Sequence, residues 1–150
     1  MEQCSSEATA LYKAQIAGKG RIFVDLTAGF GVDAAFIGKC FQQAVTIEQQ
    51  EKLCAITSEN YKVLGLDQVE VHCGNGVEYL HTMEYADLIF IDPARRDEHG
   101  GRTYDIADCT PNVLELREEL LAKADRVMIN LSPMLDWRKG VEDLKAVCEV

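Results

Sequence analysis

The stretch RIFVDLTAGFGVD, residues 21–33, decides the fold. An apolar run ends on Asp25, a loop carrying Gly29 and Gly31 follows, and a helical pattern opens at Val32. Asp25, Gly29 and Gly31 are spaced D-x-x-x-G-x-G. Glycines in such a loop let the backbone turn sharply and let a ligand approach the main chain closely. Working outward, short apolar runs alternate with helical patterns. Strands are expected at residues 22–26, 44–48, 69–73, 88–92 and 126–131, with helices at about 32–40, 50–64 and 77–81. Thr110-Pro111 reads as an N-cap followed by proline at the first helical position, opening a helix through Ala122. In helix 50–64 the expected buried face is Leu53, Ile56, Val63 and Leu64, with Gly65 as the stop.

Ser5 or Ser6 caps a first helix that Gly18 stops after Ala17, so residues 1–20 read as an N-terminal helix and residues 21–150 as the core domain. The alternation implies an α/β class: a Rossmann-like parallel sheet with helices on both faces. Residues 137–144 read as a helix packed through Trp137, and residues 145–150 as the start of a further strand. Residues 93–109 form a long charged loop, a length that often goes with function.

The bulk numbers narrow the class. At 150 residues and 47% apolar content the chain is one ordinary globular domain. No apolar run approaches the roughly 20 residues that span a bilayer. The opening MEQCSSEATALYKAQ lacks the basic-then-apolar layout of a signal peptide, so the expected location is the cytoplasm. Six cysteines are scattered without a C-x-x-C pair or a suitable histidine spacing, so no metal is expected and the thiols are expected to be reduced. A net charge of −10 argues against this segment alone gripping a phosphate backbone.

Open α/β sheets bind ligands at the carboxyl ends of their strands. Asp25, Glu48, Asn75 and Asp92 fall at or just after four successive ends. Any one of them alone is most simply a solvated surface group; the recurrence is the signal. Residues 29–34 also fit G-x-G-x-x-A, the dinucleotide fingerprint, with an acidic residue at a suitable distance. Two features weigh against an NAD(P)-binding oxidoreductase. Leu26-Thr27-Ala28 separates the strand end from the first glycine, and that reading gives no reason for Asp92-Pro93.

Together, D-x-x-x-G-x-G, the acidic end of strand two and IFIDPARR (residues 89–96) resemble the class I S-adenosylmethionine-dependent methyltransferases. The resemblance implies S-adenosylmethionine as cofactor. It implies Gly29 and Gly31, with Ala28 and Phe30, near its methionine portion, and Asp25 facing its ammonium directly or through water. It implies Glu48, with Gln49 alongside, on the ribose hydroxyls, and Asn75 and Gly76 near adenine, where many relatives carry an aspartate. Asp92, Pro93 and Arg95 would stand at the target atom.

Asp92-Pro93-Ala94-Arg95 is similar to variants found among RNA-modifying members, so RNA is the expected substrate, gripped by segments outside this chain. The proline-proline-aromatic motif of amino-group enzymes is absent here. So is a cysteine near the end of strand five, which covalent pyrimidine chemistry needs. Arg95, Arg96, Arg102 and Tyr104 read either as a solvated loop or as a phosphate clamp. The chain looks most like an uncharacterised bacterial group carrying an RNA-binding-like (THUMP-like) appendage. The closing antiparallel hairpin of the family is missing from the sequence pattern, so either it was shed or the chain is a fragment, the reading favoured here. An alternative is a module that binds cofactor without catalysing transfer.

Overall fold

The computed structural model describes residues 4–95 and 105–150. Its strands are β1 Gly20–Asp25, β2 Phe41–Glu48, β3 Val69–Cys73, β4 Ala86–Ile91, β5 Ala94–Arg95, β6 Cys109–Thr110 and β7 Ala124–Ile129. Its helices are α1 Glu7–Ala17, α2 Val32–Gly38, α3 Glu51–Val63, α4 Gly76–Thr82, α5 Val113–Lys123 and α6 Trp137–Leu144. The main sheet has five parallel strands in the order β3-β2-β1-β4-β7, and β5 and β6 form a separate antiparallel pair. Strand order therefore reverses between β1 and β4. A Rossmann-like parallel sheet with helices on both faces results.

Successive residues of a strand point to opposite faces, and the core obeys that period. Phe23, Ala44, Leu88 and Phe90 pack with Ala17 of α1, Ala34 and Ile37 of α2, and Tyr61 of α3. Val24, Val45, Ile47, Ile89 and Ile91 pack on the other face with Leu80 of α4, Val113 and Leu120 of α5, and Leu144 of α6. Continuing the same period sends Asp25, Thr46 and Glu48 toward the α1–α3 side. The sheet's carboxyl edge and that helical layer enclose the candidate site.

Local signals explain most boundaries. Ser6 caps α1 by accepting from the Thr9 amide at 3.2 Å, and Gly18 ends it at φ 70°. Several expectations are corrected. The buried stripe of α3 is Cys54, Thr57 and Tyr61, whereas Ile56, Val63 and Leu64 are at least half exposed. The i, i+3, i+7 row wins because it fits the tight approach to the glycine loop, where Tyr61 Oη donates to the Gly31 carbonyl at 3.2 Å.

The cap of α5 is Asn112, accepting from the Leu114 amide at 3.1 Å, because Thr110 is held extended by pairing with Ala94. Trp137 is 56% exposed, since its position in the first turn of α6 leaves Gly140 and Leu144 to face the core. Residues 145–150 form no strand: Lys145 takes φ 59° as the cap of α6. Among the described residues of the long loop, β5 pairs with β6 and a 3-10 turn spans Ile106–Asp108. Among the described residues no strand lies beyond β7, which pairs with β4 alone. Among them also no helix is long and apolar enough to cross a membrane.

Candidate functional site

Asp25 closes β1, in register with Thr46 on one side and Phe90 on the other, and is 1% exposed. Its carboxylate accepts from the Thr27 amide at 2.9 Å. Burial pushes its carboxyl up to about 8; the Thr27 bond opposes this, and the carboxylates of Asp33, Asp92 and Glu48 add to it. Beyond it the loop folds on itself. The Ala28 amide donates to the Ile47 carbonyl at 3.0 Å and the Gly31 amide to the Ala28 carbonyl at 2.8 Å. Gly31, at φ 75°, leaves no room for a side chain unless Tyr61 moves, because a Cβ there would overlap the Tyr61 hydroxyl. Phe30, at the loop's tip, is 46% exposed.

Glu48 ties this loop to the next two strands. Its Oε2 accepts from the Gly29 amide at 2.8 Å and its Oε1 from the Gln50 amide at 2.9 Å. Its main-chain oxygen accepts from the Gly74 amide at 2.8 Å. An ionised carboxylate offers about four lone-pair sites, so two bonds leave capacity for a ligand's hydroxyls. Gln49 is exposed beside it. Asn75 caps α4, its Oδ1 accepting from the Val77 and Glu78 amides at 2.8 and 3.2 Å, which leaves its amide hydrogens for other partners. Gly76 is buried and set by packing, since a Cβ there would overlap the Leu26 carbonyl.

Asp92 follows β4. Its amide donates to Thr27 Oγ1 at 2.7 Å, and its side chain hydrogen-bonds Asn130, whose own amide donates to the Ile91 carbonyl at 3.0 Å. Burial holds its carboxyl above the usual carboxylate range, opposed by the Asn130 bond and the Lys13 charge and reinforced by Asp33. Pro93 is buried, and Arg95 is half-buried within β5. Arg96, Arg102 and Tyr104 lie outside the described residues.

Asp25, Ala28, Gly29, Gly31, Glu48 and Asp92 thus gather along one edge of the sheet. Four residues not singled out from the sequence join them: Thr27, Asn130, Asp33 and Lys13. Asn130 was expected inside a strand over residues 126–131; the strand ends at Ile129, so Asn130 is instead the first residue after it, beside the end of β4. Nothing in the helical pattern of residues 7–17 pointed to Lys13.

This arrangement fits S-adenosylmethionine on one observation. Where a Cβ would stand at Gly29 or at Gly74, nothing among the described residues lies within 4 Å. Glu48 sits between these two glycines, bonded to both. A nucleoside can therefore lie against bare backbone with its ribose over Glu48.

Comparison with known proteins agrees. The family model described as protein-L-isoaspartate(D-aspartate) O-methyltransferase (PCMT) matches residues 4–97. The chain is similar to a candidate methyltransferase from Porphyromonas gingivalis W83, with TM-score 0.81 and 32% identity, over 94% of this chain and 35% of that one. The chain thus spans about a third of that protein's length. It also has the fold of an rRNA methylase from Streptococcus thermophilus, with TM-score 0.62 and 18% identity over 96% of this chain and 82% of that one. A third likeness in fold is a candidate methyltransferase from Streptococcus mutans in complex with SAH, with TM-score 0.61 and 15% identity over 93% and 77% of the two chains. No curated protein matches the chain. The family match, covering well over half of the residues, sets aside the dinucleotide reading: the chain belongs to the class I S-adenosylmethionine-dependent methyltransferases, and S-adenosylmethionine is the cofactor that membership indicates.

Proposed function

We propose that the chain is the catalytic core of an S-adenosylmethionine-dependent methyltransferase acting on RNA. The observation that carries the reading is the junction of Asp92 with Thr27, which sets Asp92-Pro93-Ala94-Arg95 directly beside the cofactor loop at the switch point of the sheet. When bound, the cofactor supplies a methyl group on a sulfonium, open to in-line displacement. The protein's part is then positioning and the exclusion of water.

Glu48 accepts from the ribose hydroxyls, and the loop from Ala28 to Gly31 offers backbone to the methionine portion. Asp92 orients the acceptor and takes its proton. Its raised carboxyl makes it a better base than a solvated aspartate, and Asn130 fixes its direction. Arg95 faces acceptor phosphate. With a net charge of −10 the grip on RNA falls to segments outside this chain.

A second reading, a carboxyl acceptor on a protein, is favoured by the description of the matching family model. Incubation with labelled cofactor and either total cellular RNA or total protein separates the two. Nuclease-sensitive label supports RNA, and label released as methanol by mild base supports a protein carboxyl. In the first case Arg95→Ala reduces methylation more than cofactor affinity; equal loss of both would place Arg95 in fold maintenance.

A further inference from the structure

The first helix, which the sequence sets apart from the core, delivers a buried cation to the site. Lys13 of α1 is 8% exposed, and its Nζ lies 3.0 Å from Asp33 Oδ2, 2.8 Å from Ser5 Oγ and 5.6 Å from the Phe90 ring centroid. Ser5 Oγ donates to the same Asp33 oxygen at 3.0 Å. The other oxygen, Asp33 Oδ1, is buried with no hydrogen-bond partner among the described residues. Phe90, whose ring the Lys13 ammonium faces, is the register partner of Asp25, and the Asp33 charge acts on both Asp25 and Asp92, the Lys13 charge on Asp92.

A pair serving only to fasten α1 to α2 has no use for an unsatisfied oxygen. A buried acceptor left without a donor is destabilising, and such groups in native proteins call for a specific explanation. An ammonium has three protons, and Lys13 directs two of them at Ser5 and Asp33. The pair therefore offers one carboxylate oxygen and one ammonium proton to something else: the complement of a zwitterion. The lie of the site agrees. With ribose over Glu48 on the β2 side and the methyl group beside Asp92 on the β4 side, the amino-acid end would lie toward β1, whose Asp25 is the register partner of the Phe90 that the Lys13 ammonium faces. Asp25 lies deeper, in the sheet itself, and is bonded to Thr27.

Resting on the cofactor reading above, we propose that Lys13 and Asp33 hold the amino-acid end of S-adenosylmethionine, with Asp33 Oδ1 accepting from its α-ammonium and Lys13 facing its carboxylate. The N-terminal helix is then a working wall of the cofactor site.

Calorimetry with three ligands tests this: S-adenosylhomocysteine, its analogue lacking only the amino group, and 5′-methylthioadenosine, which lacks the whole amino-acid end. Wild-type protein should bind the deaminated analogue about tenfold or more weakly than S-adenosylhomocysteine, the scale of a hydrogen bond between charged groups. Asp33→Asn, which removes the charge and keeps one acceptor oxygen, should shrink that preference severalfold and leave methylthioadenosine binding within about twofold. An Asp33→Asn protein that keeps the full preference overturns the assignment, while its binding of methylthioadenosine would leave the cofactor reading standing. Wild-type protein that binds none of the three removes both. A measurement on wild-type protein guards against a variant that fails to fold. The Asp33 carboxyl carbon resonance should move on adding S-adenosylhomocysteine and stay in place with methylthioadenosine; an unmoved resonance with both overturns the proposal.

Discussion

Thr27 and Asp92 are one hydrogen bond apart: the Asp92 amide donates to Thr27 Oγ1 at 2.7 Å, closing the gap between the cofactor loop and the end of β4. Thr27→Val keeps the shape and removes the acceptor. It is expected to lower stability in urea unfolding by about 1 kcal/mol. Labelled-methyl transfer should fall further than affinity for S-adenosylhomocysteine, because the variant loosens the acceptor side and leaves Glu48 in place. Equal losses of transfer and affinity would show that the bond serves the loop alone.

Asp25 predicts a pH dependence. Its folded carboxyl stands near 8 against an ordinary value of 3.8, so between those values the folded chain holds a proton that the unfolded chain has released. Stability from this group is therefore present at the acid end of the window, declines as pH rises and is gone above about 8. Asp25→Asn mimics the protonated form and keeps an acceptor for the Thr27 amide. Thermal melts from pH 5 to 9 should show a smaller fall for the variant, which becomes the more stable of the two at the alkaline end. Parallel curves would mean that Asp25 is ionised throughout.

Gly29 and Gly31 separate conformation from crowding. Both have positive φ, 55° and 75°, but only at Gly31 does a Cβ meet a neighbour, the Tyr61 hydroxyl. Alanine at either position carries a left-handed penalty of about 1–3 kcal/mol. Gly31→Ala should cost more than Gly29→Ala in denaturant unfolding, and Tyr61→Phe should recover part of the difference. The reverse order would contradict the packing described at α3.

The fold was legible because its code is local. Strands β1, β2, β4 and β7 each contain a short apolar stretch, β3 alternates apolar and polar residues, and the D-x-x-x-G-x-G loop joins β1 to its helix. The candidate edge was legible too, since strand ends in a parallel sheet necessarily gather. What stayed hidden depends on tertiary contact. The α3 stripe escaped because Cys54 and Thr57 look unremarkable beside Ile56 and Val63, until the glycine loop is seen to demand small neighbours and a hydroxyl. Lys13 escaped for the same reason, as a lysine on a short helix ordinarily points to water. Only the docking of α1 on α2 turns it inward.

The central claim is that Glu48, bonded to the Gly29 and Gln50 amides, carries the ribose of S-adenosylmethionine. Calorimetry of the wild-type chain against S-adenosylmethionine, S-adenosylhomocysteine and the nicotinamide dinucleotides tests it most directly. Both adenosyl ligands should bind more tightly than either dinucleotide, and Glu48→Ala should cost about 1–3 kcal/mol of that binding. A dinucleotide that binds more tightly, or a Glu48→Ala protein that binds S-adenosylhomocysteine as well as wild type, would contradict the account.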